Sequence, residues 1–296
     1  MKIDGVFSGG GVKAYAFVGA LQSVEEHGHE FVRVAGTSAG AIVAAFVAAD
    51  YRLQELKKVL EELDLRNFRD PPAISNYIPF SKWLFFYFQM GIYKGDKLEN
   101  WLYERLAAKK IYTFSDVKQG QLKVVASDLS LGKMVVIPDD LERLYGINPN
   151  YFPIAKAVRM SAGFPYFFMP KKLPGKTRQK SIMVDGGLLS NFPLWIFENG
   201  DTTKKRPVLG IKLSADMSEP HPRKIKNAFD MFHALFSTMK QAHDARYISK
   251  SQKNNIIFIP VEDVETVNLS IPETVKTNLI NTGRMSADQF LCNWPK

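Results

Sequence analysis

Phe31-Val32-Arg33-Val34-Ala35, then Gly36-Thr37-Ser38-Ala39-Gly40, then Ala41-Ile42-Val43-Ala44-Ala45-Phe46-Val47-Ala48-Ala49 is the stretch on which the fold turns. It reads as a short β-like run, a G-x-S-x-G turn and an apolar helix former. Strand, tight turn and helix in that order form the setting of a nucleophile elbow. A sharp strand-to-helix turn presses backbone against side chain, so only small residues fit beside the serine. The Ser38 hydroxyl then stands at a helix N-terminus, where free N–H groups and the helix dipole favour developing negative charge. The plainer reading is a small-residue turn that packs a helix on a strand.

Outward from the elbow, residues 3–8 read as a first strand ended by Gly9-Gly10-Gly11, and 12–26 as a helix with Ala16, Ala20 and Val24 at four-residue spacing. Residues 53–63 are amphipathic, with Leu53, Leu56, Val59, Leu60 and Leu63 on one face. Two early strand–helix units predict an α/β fold with a mainly parallel central sheet covered by helices on both faces. Further on, 96–108 reads as a helix with Asp96 as its N-cap. Residues 121–126 and 134–137 read as paired strands, 153–161 as a short helix and 181–184 as a strand stopping at Asp185-Gly186-Gly187. Strands at 207–213 and 255–260 flank a long helix at 225–249, and a last helix at 272–290 packs back through Leu279, Ile280 and Phe290. No linker is long or polar enough to divide the 296 residues, so one three-layer domain over 1–296 is expected.

The hydrophobic fraction is 46%, ample for a large core, and the charged fraction of 23% is that of a folded protein. A formal net charge of +9 suits an anionic partner or plain solubility. Cys292 is the one cysteine, so no intrachain disulfide can form, and its neighbour Leu291 suggests a small core hydrophobe. Asp4 and the glycines after it interrupt any signal-peptide pattern, and no uncharged apolar run reaches the roughly 18 residues of a spanning helix. The expectation is a cytoplasmic chain that meets a membrane, if at all, from one side.

A serine nucleophile needs a base for its proton and donors for the oxyanion. Gly9-Gly10-Gly11-Val12 supplies a candidate oxyanion loop, because consecutive glycines let backbone N–H groups converge on an anion; Lys13 adds positive charge. The histidines are His27, His29, His221, His233 and His243, and none falls at a strand-end turn. An α/β-hydrolase also places several strands before its elbow, whereas residue 38 leaves room for two. Both points argue against an ordinary Ser-His-Asp triad. Asp185, at the end of a strand with Gly186 and Gly187 allowing close approach, is the better partner. Partial desolvation there raises carboxylate basicity. The structural alternative is a common Asp-Gly turn.

Together Gly9 to Lys13, Gly36 to Gly40 and Asp185 to Gly187 resemble, in order and spacing, the patatin-like phospholipase family. Ser161-Ala162-Gly163-Phe164-Pro165, Phe168 and Pro170 look like the small-residue stretch before its last motif, and Asn191 and Pro193 look like the residues usual just after that motif. The resemblance covers roughly 3–215, with Ala14 standing where glycine is frequent. It implies a lipid acyl hydrolase with a histidine-free dyad: Ser38 as nucleophile, Asp185 as base, and N–H groups of Gly10, Gly11 and Val12 as the oxyanion hole. Gly36, Gly40, Gly186 and Gly187 support these. The resemblance implies neither cofactor nor metal, and the chain shows no calcium-loop or zinc-ligand pattern. The implied partner is a phospholipid or other acyl-ester lipid, at a peripheral membrane surface.

Residues 77–93 are dense in aromatics and broken by Pro79, Lys82 and Gly91, which suits a lid, a membrane contact or a core segment. Basic residues gather at Lys171, Lys172, Lys176, Arg178 and Lys180, at Lys204, Lys205 and Arg206, and at Arg223, Lys224 and Lys226. The first group is expected to draw the active edge toward anionic lipid. A nucleotide-binding module is the rival class, since Gly9, Gly11 and Ala14 match G-x-G-x-x-A. It lacks the acidic residue at the end of the second strand. Nucleic acid is not expected, because the aromatics do not interleave with the basic residues. A non-catalytic lipid-binding protein is the other rival, though every motif residue is intact.

Overall fold

The computed structural model describes residues 1–62, 66–72, 87–176, 179–197, 206–214, 225–247, 252–261 and 272–295. The strands are β1 (Lys2–Phe7), β2 (Glu30–Thr37), β3 (Gly91–Tyr93), β4 (Leu122–Asp128), β5 (Lys133–Ile137), β6 (Tyr166–Phe168), β7 (Lys171–Pro174), β8 (Lys180–Asp185), β9 (Val208–Lys212) and β10 (Ile256–Phe258). The helices are α1 (Tyr15–Glu26), α2 (Ala39–Ala48), α3 (Leu53–Glu61), α4 (Asp96–Ala108), α5 (Ile154–Ser161), α6 (Ala228–Tyr247) and α7 (Glu273–Leu291). An eight-stranded sheet runs parallel through β10-β9-β1-β2-β4 and turns antiparallel at β5, β8 and β7. The α/β class and the largely parallel sheet agree with the sequence reading.

One register detail builds the site. Val124 and Val125 of β4 pair with both β2 and β5, while Ala126, Ser127 and Asp128 pair with both β5 and β8. β2 and β8 therefore lie along the same edge of β4 and run toward each other. β2 ends with Thr37 opposite Val125, and β8 ends with Asp185 opposite Ala126. Two chain ends that meet over adjacent residues of a third strand must bring their next side chains together. Asp185 thus reaches the elbow from the opposite direction along β4, not as a second loop at the carboxyl edge of parallel strands.

The larger core cluster joins Ile3, Phe7 and Val34 of the sheet to α1, α2, α3 and α7. A smaller one, on the other face, holds Val6, Ala35 and Ile256 under Phe192, Leu194 and Phe197. α6 is tied to that second face by Asp244, which pairs with Lys212 of β9 at 2.9 Å. α1 and α7 cross where both are glycine. A Cβ on Gly19 would stand 1.9 Å from the Ile280 carbonyl oxygen, and one on Gly283 1.9 Å from that of Ala16. The last helix therefore packs back through backbone contact as well as through buried Leu279.

Three local expectations shift. Residues Gly11–Ala14 form a 3-10 turn before α1 begins at Tyr15. The N-cap of α4 is Gly95 in the left-handed region, with Asp96 the first helical residue. Gly95 leaves room there for the fully buried Arg159, whose guanidinium would lie 2.2 Å from a Cβ. Arg159 donates to the carbonyls of Gly95, Lys94 and Met169, joining α4 to the β3–β6 ribbon. Cys292 is exposed rather than a core residue, since it caps the C-terminal end of α7 just past the buried Leu291. Residues 73–86, most of the aromatic segment, lie outside the described residues, as do Arg178, Lys204, Lys205, Arg223 and Lys224.

Candidate active site

Ser38 has φ 55° and ψ −123°, a conformation that a non-glycine residue adopts at a cost of about 1–3 kcal/mol and only where its surroundings hold it. The surroundings here are glycines. A Cβ on Gly36 would come within 2.2 Å of the Gly40 carbonyl oxygen, and one on Gly40 within 2.3 Å of that of Phe7. The elbow is therefore pressed onto the end of β1, and α2 starts directly after the serine. The Ser38 N–H donates to Ser161 Oγ at 2.9 Å, and that hydroxyl donates to the Val125 carbonyl at 2.6 Å. Thr37 Oγ1 donates to the Ser190 carbonyl at 2.9 Å.

Ser38 Oγ donates to Asp185 Oδ2 at 2.7 Å, and Asp185 Oδ1 accepts from the Gly187 N–H at 2.7 Å. Asp185 is buried, and burial pushes its carboxyl up to about 6. The hydrogen bonds from Ser38 and Gly187 and the charge of Lys240 oppose that rise. Gly186 is needed beneath it, because a Cβ would meet the Val125 carbonyl oxygen at 2.1 Å.

The glycine run divides. Gly9 spends its N–H on the Asn191 carbonyl at 2.9 Å, so it is not an oxyanion donor; its hydrogen in place of a side chain lets Asn191 and the Ser38 Cβ close in. The N–H groups of Gly10, Gly11 and Val12 find no acceptor among the described residues, and all three border the cleft that holds Ser38 and Asp185. Gly11 has φ +57°, which glycine takes at no steric cost. Lys13 is half-buried on the same turn and does not border the cleft.

The cleft has a volume of about 790 Å³, counted with its open mouth. Ile42, Leu98, Phe164, Phe167, Phe168 and Phe236 make it mainly apolar. Among the described residues its polar side chains are Ser38, Asp185, Asn191 and Lys240, and none is a histidine. Among the described residues no three His, Cys, Asp or Glu side chains stand together as metal ligands would. The sequence reading did not single out Ser161, Asn191 or Lys240 for the site. The first two lie inside motif stretches it quoted, whereas Lys240 is one lysine on a long helix and carries no motif.

A patatin-like phospholipase family model matches residues 5–198. The chain belongs to the patatin-like phospholipase family. Lipid acyl hydrolysis is the class of activity that membership implies. Protein YqhO of Bacillus subtilis is 47% identical over 294 residues, 99% of each chain. The NTE family protein Rv1063c of Mycobacterium tuberculosis is 26% identical over 189 residues, 62% of this chain and 42% of that one. Among solved structures, VipD from Legionella pneumophila superposes with a TM-score of 0.58 at 19% identity, covering 98% of this chain and 67% of VipD. The type III effector ExoU superposes at 0.51 and 17% identity, covering 99% of this chain and 53% of ExoU. At such identities these two likenesses speak to the fold.

Proposed function

We propose that this patatin-like chain hydrolyses fatty-acyl esters of phospholipids or lysophospholipids through a Ser38–Asp185 dyad. The observation that carries the reading is the 2.7 Å hydrogen bond from Ser38 Oγ to Asp185 Oδ2 at a strained strand-to-helix turn. Ser38 Oγ attacks the ester carbonyl carbon while its proton passes to Asp185 Oδ2. The carbonyl oxygen becomes an oxyanion held by the N–H groups of Gly10, Gly11 and Val12. Collapse breaks the bond to the lipid alkoxide, which leaves with the proton from Asp185. Water then adds to the acyl-enzyme, yields its proton to Asp185, and the fatty acid departs as Ser38 regains that proton. A carboxyl near 6 is ionised at neutral pH and still basic enough for this exchange. Labelling with a fluorophosphonate tests it: wild type reacts, whereas Ser38→Ala does not and Asp185→Asn reacts at least about a hundredfold slower. Equal labelling of all three would end the dyad reading.

Approach to lipid from one side is part of the same proposal. No helix among the described residues is long and apolar enough to cross a membrane. Met231, Leu235 and Met239, at four-residue spacing on the outer side of α6, are 53%, 58% and 48% exposed. Tyr87 and Phe88 are exposed near β3. The basic segment before Asp185 gives weaker support, because Lys171 pairs with Asp96 and Glu99 at 3.0 and 2.6 Å.

A further inference from the structure

The inner side of α6 carries Phe232, Phe236, Lys240 and Asp244, each four residues on. The first two rings pack on Tyr166 and Phe164, at 4.8 and 5.2 Å between centroids. Phe236 and Lys240 then border the cleft, and Asp244 is buried beyond them. The apolar side of this helix therefore changes to charge where it passes Ser38.

The carboxylates nearest that charge bond to other groups. Asp244 Oδ2 accepts from Lys212, while its buried Oδ1 meets no hydrogen-bond partner among the described residues. Both carboxylate oxygens of Asp185 are already engaged by Ser38 and Gly187. Among the described residues, the charged groups that act on Lys240 are the carboxylates of Asp244 and Asp185 and the ammonium groups of Lys212 and Lys13. A half-buried ammonium in a mainly apolar cleft is costly unless an anion meets it. Burial pushes Lys240 down to about 8, which leaves it charged at neutral pH.

A carboxylic ester seated at Ser38 puts its acyl chain among the phenylalanines. In a glycerophospholipid the phosphate lies a few bonds beyond the ester, on the other side. We propose that Lys240 binds the substrate phosphate and makes the enzyme selective for acyl esters of phosphate-bearing lipids over uncharged glycerides. This rests on the acyl-hydrolase reading of Ser38 and Asp185. The shared chemistry is an anionic oxygen, and the released fatty-acid carboxylate is its second source.

The test compares dioleoylphosphatidylglycerol with dioleoylglycerol in non-ionic mixed micelles, for wild type, Lys240→Met and Lys240→Arg. Wild type should favour the phospholipid in kcat/KM. Lys240→Met should lower that ratio about tenfold, mainly through KM, and Lys240→Arg should restore most of it. The wild-type ratio should also fall as pH rises past about 8. Fluorophosphonate labelling of each variant checks that the dyad is intact. An unchanged ratio overturns the proposal, as does an equal loss on both lipids, which would make Lys240 only a support of Asp185 and leave the dyad standing. Relief of oleate inhibition in Lys240→Met with the ratio unchanged assigns the ammonium to the product and overturns it too. Wild type labelled by the probe yet inert to both lipids would overturn the lipid reading itself.

Discussion

Asp185 links activity and stability to pH. Its proton must be gone before it can accept one from Ser38, so kcat/KM on a short-chain ester should fall about tenfold per pH unit below about 6. A profile flat from pH 4.5 to 8 would exclude Asp185 as the base. The same burial makes the folded chain hold this proton more tightly than the unfolded chain, whose carboxyl titrates near 3.8. The cost is absent below both values, grows as pH rises between them and levels off above 6 at about 3 kcal/mol. Asp185→Asn should therefore gain stability in urea at pH 8 and only about a third as much at pH 4.5. Ser161 acts on the serine's backbone instead. Removing its hydroxyl leaves the Ser38 N–H and the Val125 carbonyl without their partner. Ser161→Ala should lower kcat about ten- to a hundredfold with a small change in KM, and should destabilise by about 1–3 kcal/mol. Steady-state kinetics beside urea unfolding separates the two effects.

Among the elements, α1 and α7 give the sharpest expectation. Alanine in an exposed helix is better than glycine by about 1 kcal/mol. At Gly19 and Gly283 the sign should reverse, because the new Cβ meets carbonyl oxygens at 1.9 Å and rigid helix backbones must part. Gly19→Ala should cost about 2–4 kcal/mol, read from the urea midpoint. Stabilisation would show that the helices separate freely. The periodicity of α1 and α7 was legible in the chain, but their contact was not, since it joins two glycines 264 positions apart. The same holds for Arg159. Its sequence context is an ordinary amphipathic helix, and only the packing of α5 under Gly95 turns it inward.

At the scale of the whole molecule, one helix faces both ways. The inner side of α6 closes the cleft and its outer side exposes Met231, Leu235 and Met239. Leu235→Asp with Met239→Asp should weaken binding to phosphatidylglycerol vesicles about tenfold or more, while hydrolysis of a soluble short-chain ester stays within about twofold. Co-sedimentation and a chromogenic assay measure the two. Unchanged vesicle binding would remove α6 as the lipid-facing surface.

The elbow, the glycine run and the Asp-Gly-Gly turn are local structures. Small residues at fixed offsets dictate their backbone, so they were readable from the chain, and with them the α/β class. The meeting of Ser38 with Asp185 is not local. It follows from β2 and β8 ending head to head over Val125 and Ala126 of β4, a register that strand pairing sets. Which glycine keeps a free N–H was likewise decided by a distant residue, since Asn191 takes the one on Gly9. Lys240 enters the cleft only because α6 docks by its phenylalanines. Short-range sterics are written in sequence, whereas pairing, burial and charge balance exist only once distant segments share a surface.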